Sequence, residues 1–129
     1  MNDLSKLYEL AKTSSQKAYA PSSKFNVGAA ILSIEGNFFS GCNVENISYP
    51  LGTCAEQSAI SAMINNGDRK IAKILIYSGG SSLISPCGAC RQRIAEFSTD
   101  ETPVFFADST GIKETHSVSE LLPFQFKEF

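Results

Sequence analysis

The feature that most constrains this chain is a pair of short motifs that supply three thiols and one carboxylate. The first motif is Cys54-x-Glu56, and the second is Pro86-Cys87-x-x-Cys90. A structural zinc site closes its fourth coordination position with a protein ligand, whereas a catalytic site leaves that position for water. Three thiolates beside a carboxylate that does not bind the metal therefore predict a hydrolytic zinc site in which Glu56 handles the proton.

Other interpretations of the same residues remain open. Thr53 and Glu56 have the spacing of a helix capping box. The C-x-x-C of the second motif could be a redox pair. The zinc could be structural, with His116, the only histidine, as a fourth ligand. A lone histidine at a polar strand edge is more often solvated, and we assign it no role. Cys42 is interpreted as a small packed residue at a strand end rather than a spare ligand.

Length and charge favour small-molecule chemistry. The 129 residues are expected to form a single domain, 1–129, with an ordinary apolar fraction of 43%. Eleven basic and thirteen acidic side chains give a net charge of −2, so the basic surface of a nucleic-acid-binding module is not expected. The pattern predicts neither a membrane span nor a signal peptide. We therefore expect a cytoplasmic protein, where paired cysteines more often indicate metal or redox chemistry than disulfides.

Hydrophobic periodicity predicts a mixed sheet of about five strands with helices on both faces. The predicted elements are a helix over 3–19, a hairpin of strands 27–32 and 38–44, a helix from the Thr53 cap to Asn66-Gly67, a strand over 71–77, a helix from Ser85 to about 97, strands over 104–107 and on to 116, and a short helix capped by Ser117. Cys54 and Cys87 then lie in the first turns of helices, where the positive end of the helix dipole favours thiolate.

Five blocks of the sequence resemble the small homotetrameric cytidine deaminases. These blocks are residues 25–30, 41–46, 53–60, 85–92 and 120–123, and the resemblance extends in order from about Tyr19 to Phe126. It implies a three-layer α/β/α domain with one Zn²⁺ per subunit. It also implies hydrolytic deamination of cytidine and deoxycytidine to uridine and deoxyuridine plus ammonia, in pyrimidine salvage.

The resemblance assigns the metal site and its proton carrier. Cys54, Cys87 and Cys90 would bind zinc, and Glu56 would carry protons between water and substrate. Gln57 departs from the pattern, because related chains usually have an arginine there that offsets the thiolate charge. An amide can donate hydrogen bonds but brings no charge, so we expect Gln57 to leave more electron density on the metal.

The resemblance also assigns five contacts to the nucleoside. Asn43 and Glu45 would bind the ribose hydroxyls, and Phe25 would stack on the pyrimidine. The backbone N–H of Ala55 and the carbonyl of Ser85 would bind the edge of the base. Taken without the resemblance, Phe25 is more often a core residue, and an Asn-x-Glu-Asn stretch is more often turn polarity.

Aromatic residues are expected at contacts between subunits. Phe126 would enter the active site of a neighbouring subunit, although Phe124 is an alternative for that role, and Tyr49 would lie near the subunit contact. A homotetramer with shared active sites follows from the resemblance.

Two rival functions remain open at this stage. Ser22 replaces a common tyrosine in a loop expected to border the substrate, which leaves open a deaminase of a modified cytosine nucleoside such as blasticidin S. The other rival is a zinc protein that binds nucleosides or partners without turnover. A deaminase that edits RNA or DNA is disfavoured by the acidic balance.

Overall fold

The computed structural model describes residues 2–80 and 83–127, and it places five strands and four α-helices in that part of the chain. In chain order these elements are α1 (Asp3–Ser15), β1 (Val27–Ser33), β2 (Phe38–Cys42), α2 (Ala55–Asn65), β3 (Ile71–Ser78), α3 (Gly88–Glu96), β4 (Pro103–Asp108), β5 (Gly111–Ser117) and α4 (Val118–Leu121), with a 3₁₀ turn at Tyr49–Leu51. No helix within these ranges is long and apolar enough to cross a membrane.

The strands form one mixed sheet in the order β2-β1-β3-β4-β5, which confirms the predicted fold class. Only the β3–β4 pair is parallel, and the other three pairs are antiparallel. Alternate residues of β1 point to opposite faces of the sheet, as expected for a strand. Ala29 and Ile31 pack in the core that contains α2 and α3 residues, whereas Ala30 and Leu32 pack with α1.

Three predicted helix boundaries were wrong, and backbone pairing explains two of them. Helix α1 ends at Ser15 rather than near residue 19, because the backbone of Tyr19 forms a bridge with Val44. Val44 also bridges Thr53, which holds Thr53 in extended conformation, so that Cys54 and not Thr53 is the N-cap of α2. Helix α3 begins after an N-cap at Cys87, two residues beyond the predicted cap at Ser85.

Glycines let two helices lie directly against the sheet. A Cβ atom on Gly28 would lie 1.8 Å from the Ala11 carbonyl oxygen in α1, and one on Gly41 would lie 2.5 Å from the Ala59 backbone nitrogen in α2. Both distances are far below van der Waals contact, so α1 and α2 can approach β1 and β2 this closely only without a side chain there. The close approach at Gly41 packs α2, whose N-cap is Cys54, against β2.

We expect Gly28→Ala to destabilise the protein by at least about 1–3 kcal/mol, the usual cost of overpacking a well-packed core. Urea unfolding followed by circular dichroism measures the change. Gly88→Ala is the matched control, because a Cβ atom at Gly88 meets nothing within 4 Å. Equal unfolding midpoints for the two variants would show that the α1–β1 contact can relax.

Candidate active site

Two helix N-termini bring two of the predicted zinc ligands together. Cys54 is the N-cap of α2, and Cys90 lies in the first turn of α3 with its side chain fully buried. Their Sγ atoms are in direct contact, as in a disulfide, yet their Cα atoms are 7.4 Å apart. Disulfides usually span Cα distances of 4.4–6.8 Å. The wider backbone separation suits two thiolates that share one metal ion.

Glu56 completes a group of metal-capable atoms. Its carboxylate and the sulfurs of Cys54 and Cys90 all lie within 4.8 Å of one another. The Glu56 side chain is 4% exposed, and this burial raises the pKa of its carboxyl group, an effect that the nearby charge of Arg93 opposes. Thiolates and carboxylates are common zinc ligands. The positive ends of the two helices favour the thiolate form of both cysteines, so this group of atoms is suited to bind Zn²⁺.

Cys87 lies apart from this group. It is the exposed N-cap of α3, three residues before Cys90, and its sulfur is not among the atoms gathered around Glu56. The sulfur that Cys90 contacts belongs to Cys54, on a different helix, and not to Cys87. A redox pair within the C-x-x-C motif is therefore not the arrangement found, and Cys87 as the third zinc ligand stays a prediction.

An arginine that the sequence interpretation did not use lies beside both sulfurs. The Nη1 atom of Arg93 donates to Cys90 Sγ at 3.7 Å and to Cys54 Sγ at 3.9 Å. Arg93 follows Cys90 by three positions in α3, so both side chains lie on the same face of that helix. That spacing was the available signal. It is weak, because an arginine three residues from a cysteine is common on exposed helix faces.

A cavity of about 550 Å³ opens beside the sulfurs, within the usual size range of small-molecule sites. Cys54 reaches its wall directly. The remaining wall comes from the segment that leads into α2 and from the loop before β1: Ser22, Ser23, Asn43, Val44, Glu45, Asn46, Tyr49, Gly52 and Thr53. The predicted ribose contacts, Asn43 and Glu45, are thus in the same cavity as a predicted metal ligand.

Hydrogen bonds from the loop before β1 fix the Glu45 carboxylate. Its Oε1 atom accepts from the backbone N–H groups of Ser22, at 2.9 Å, and Ser23, at 3.1 Å. Its Oε2 atom accepts from the Ser23 hydroxyl. The Ser23 hydroxyl is the main reason that the pKa of Glu45 is lowered, with further help from the backbone donors. Glu45 is therefore an ionised acceptor facing the cavity.

The amide of Asn43 is also held by the backbone. Its oxygen accepts from the Val27 N–H at 2.9 Å, and its nitrogen donates to the Phe25 carbonyl at 2.8 Å. Each end of the amide keeps one further hydrogen-bonding position. The Phe25 ring lies outside the main cavity and lines a smaller one with Gly80, so its predicted stacking role stays a prediction.

Ala55 and Ser85, the two residues predicted to bind the edge of the base, are both held in place by their surroundings. Ala55 is fully buried as the first residue of α2, where backbone N–H groups have no intrahelical acceptor. Ser85 is held by Arg91, whose Nη2 atom donates to the Ser85 hydroxyl at 2.7 Å. Arg91 also donates to the carbonyls of Pro86 and Leu121, at 2.9 and 2.7 Å. Arg91 therefore ties the segment that carries Cys87 to α4, a role that the sequence interpretation missed.

The aromatic residues predicted at subunit contacts lie on the surface. Gln92 donates to the Phe126 carbonyl at 3.0 Å, which attaches the C-terminal segment to α3. Phe124 and Tyr49 are strongly exposed. His116, the alternative fourth zinc ligand, instead contacts the carboxylates of Glu114, at 2.8 Å, and Glu120, at 3.4 Å.

The fold and this site define a class of protein that comparison with known proteins also identifies. Residues 1–106 match the model of the cytidine and deoxycytidylate deaminase zinc-binding region, and the chain belongs to this family.

Named relatives cover almost the whole chain. A protein named cytidine deaminase from Sporosarcina psychrophila is 39% identical over 98% of this chain and 93% of its own length. The crystal structure of cytidine deaminase from Burkholderia pseudomallei matches with a TM-score of 0.90 at 40% identity, covering 98% of this chain and all of that one. The structure of cytidine deaminase from Mycobacterium tuberculosis matches with a TM-score of 0.84 at 33% identity, covering 99% and 100%.

Proposed function

We propose that this protein is a zinc-dependent enzyme that hydrolyses cytidine and deoxycytidine to uridine and deoxyuridine plus ammonia. The observation that carries this proposal is the buried Glu56 carboxylate beside the sulfurs of Cys54 and Cys90, because Cys54 also lines a nucleoside-sized cavity. The names of the relatives support the same reaction. We further propose a single domain, 1–129, acting in the cytoplasm in pyrimidine salvage.

Cys54, Cys87 and Cys90 would hold one zinc ion per subunit, with Cys87 turning from its exposed position at the start of α3. Zinc, when bound, supplies a water molecule of lowered pKa and stabilises negative charge on its oxygen. Glu56 accepts a proton from this water and delivers it to N3 of the cytosine ring. As the water oxygen bonds to C4, Glu56 would take the remaining proton of that oxygen and deliver it to the amino group, so that the C4–N bond breaks and water and cytidine yield uridine and ammonia. A pKa raised by burial suits a carboxyl group that must both accept and donate protons.

The cavity wall supplies contacts for the sugar. Glu45, ionised and fixed by Ser22 and Ser23, would accept hydrogen bonds from ribose hydroxyls. Asn43 would use the remaining hydrogen-bonding position at each end of its amide. The Ala55 N–H, the Ser85 carbonyl and the Phe25 ring would bind the base.

We propose a homotetramer with shared active sites, because exposed apolar side chains flank Tyr49 at the cavity wall and another lies near the C-terminus. Ile47, Tyr49 and Leu51 are 93%, 73% and 68% exposed, and Phe126 is 61% exposed. Clustered exposed side chains of this kind are typical of interaction surfaces. Tyr49 would lie at the subunit contact, and Phe126 would enter the neighbouring site. Sedimentation equilibrium is expected to give four times the chain mass of 13.9 kDa, and a monomer that turns over cytidine would contradict shared sites.

Turnover by zinc-loaded protein tests the function directly. We expect the ultraviolet spectrum of cytidine and deoxycytidine to convert to that of uracil nucleosides, with one ammonia released per nucleoside. Blasticidin S tests the rival that Ser22 leaves open, and a cytosine-containing oligonucleotide tests an editing activity. Zinc binding without conversion of any of these substrates would contradict the proposal and favour a non-catalytic zinc protein.

A further inference from the structure

The predicted zinc site carries more negative charge than its metal can neutralise. Three thiolates on Zn²⁺ leave a net charge of −1, and the Glu56 carboxylate lies within 4.8 Å of two of the sulfurs. Excess negative charge in a partly buried site is costly unless a cation or hydrogen-bond donors lie nearby. Gln57, the residue that follows Glu56, is neutral.

The cation comes from the other helix. Arg93 Nη1 lies 3.7 Å from Cys90 Sγ and 3.9 Å from Cys54 Sγ, so a single guanidinium nitrogen faces both sulfurs. Among the residues that the structure describes, the side-chain hydrogen bonds to these two sulfurs come from Arg93 alone.

We infer that Arg93 is a positioning residue of the metal centre, which neutralises the extra thiolate charge and orients Cys54 and Cys90 toward zinc. A guanidinium suits this role, since it stays charged at all relevant pH values and is weakly hydrated. This inference rests on the proposed zinc site, but it assigns a residue that neither cysteine motif contains.

Zinc affinity is the readout, measured by competition with a chromophoric chelator. We expect Arg93→Gln to weaken zinc binding by roughly 10- to 100-fold, the usual effect of removing a partner of a metal ligand. Arg93→Lys should retain part of the affinity, because it keeps the charge but not the planar donor group. Arg69→Gln is the matched control: it removes the same charge from an arginine that donates hydrogen bonds to the backbone carbonyls of Ile64 and Asp68, and zinc affinity should not change.

A second variant separates charge from side-chain shape. Gln57 is three positions after Cys54, so an arginine at this position could face the same sulfur from α2. We expect Gln57→Arg combined with Arg93→Gln to recover zinc affinity. In the cobalt-substituted protein, Arg93→Gln should shift the thiolate-to-cobalt absorption band without loss of thiolate ligands.

Wild-type zinc binding and cytidine turnover are measured first, so that a failure of the proposed function can be distinguished from a failure of the inference about Arg93. If wild type binds zinc and deaminates cytidine while Arg93→Gln retains full zinc affinity, the inference about Arg93 is overturned. A loss of affinity that Arg69→Gln reproduces would overturn it as well, because the effect would then reflect net charge alone.

Discussion

Glu56→Gln is expected to lower kcat for cytidine by about 10²- to 10⁴-fold, the usual contribution of a general acid–base residue. The amide has the same shape as the carboxylate but can neither accept the proton from water nor deliver it to N3 of the ring. Burial of Glu56 leaves little room for bulk water to substitute as a proton carrier. Steady-state kinetics with equal zinc content in both proteins measure the effect.

The zinc content of the Glu56→Gln variant shows whether activity is lost with the proton carrier or with the metal. Because Glu56 is proposed not to bind the metal, Glu56→Gln should retain a full complement of zinc. Glu35→Gln, an exposed change in the β1–β2 turn, is the control and should have wild-type kcat. If Glu56→Gln lost its zinc together with its activity, Glu56 would be a ligand, and the proton-carrier role would have no support.

Cys87→Ser should have the second-largest effect, a loss of zinc affinity of at least roughly 100-fold, because a direct ligand contributes more than the outer partners of ligands do. The sulfur is exposed and lies outside the group formed by Cys54, Glu56 and Cys90. Activity should fall with zinc content. Atomic absorption after dialysis against a chelator measures the bound metal.

Cys42→Ser is the matched control for the thiol. Cys42 lies in β2 opposite Gly28 of β1, so its replacement should leave zinc affinity unchanged. Wild-type zinc affinity in Cys87→Ser would mean that the third ligand is another group, with Glu56 as the first candidate. The two cysteine variants and Glu56→Gln together therefore identify the ligand set.

Local sequence signals predicted much of the fold correctly. The hairpin of β1 and β2 formed around the predicted turn, and the capping box of Ser117 and Glu120 is present at α4. Gly67 follows α2 with a φ of +98°, as expected for a residue that ends a helix. In each of these cases the signal and the structure lie within a few residues of one another.

Long-range contacts limited the prediction elsewhere. The capping box at Thr53 failed because Val44, which is itself paired with the more distant Tyr19, fixes the Thr53 backbone in a bridge. Arg93 was missed because the spacing from Cys90 is only a weak signal, and the contact with Cys54 depends on how α3 meets α2. The neutral Gln57 was visible in the sequence, but the compensating charge beside the sulfurs was visible only in the structure.

The most direct test of the central claim is cytidine turnover as a function of bound zinc. The protein is stripped with a chelator under reducing conditions and titrated with Zn²⁺, and uridine formation is followed in the ultraviolet at each step. We expect turnover to be absent in the stripped protein and to rise in proportion to zinc, reaching its maximum at one ion per chain. Full turnover by the stripped protein, or no turnover at saturating zinc, would contradict a zinc-dependent cytidine deaminase.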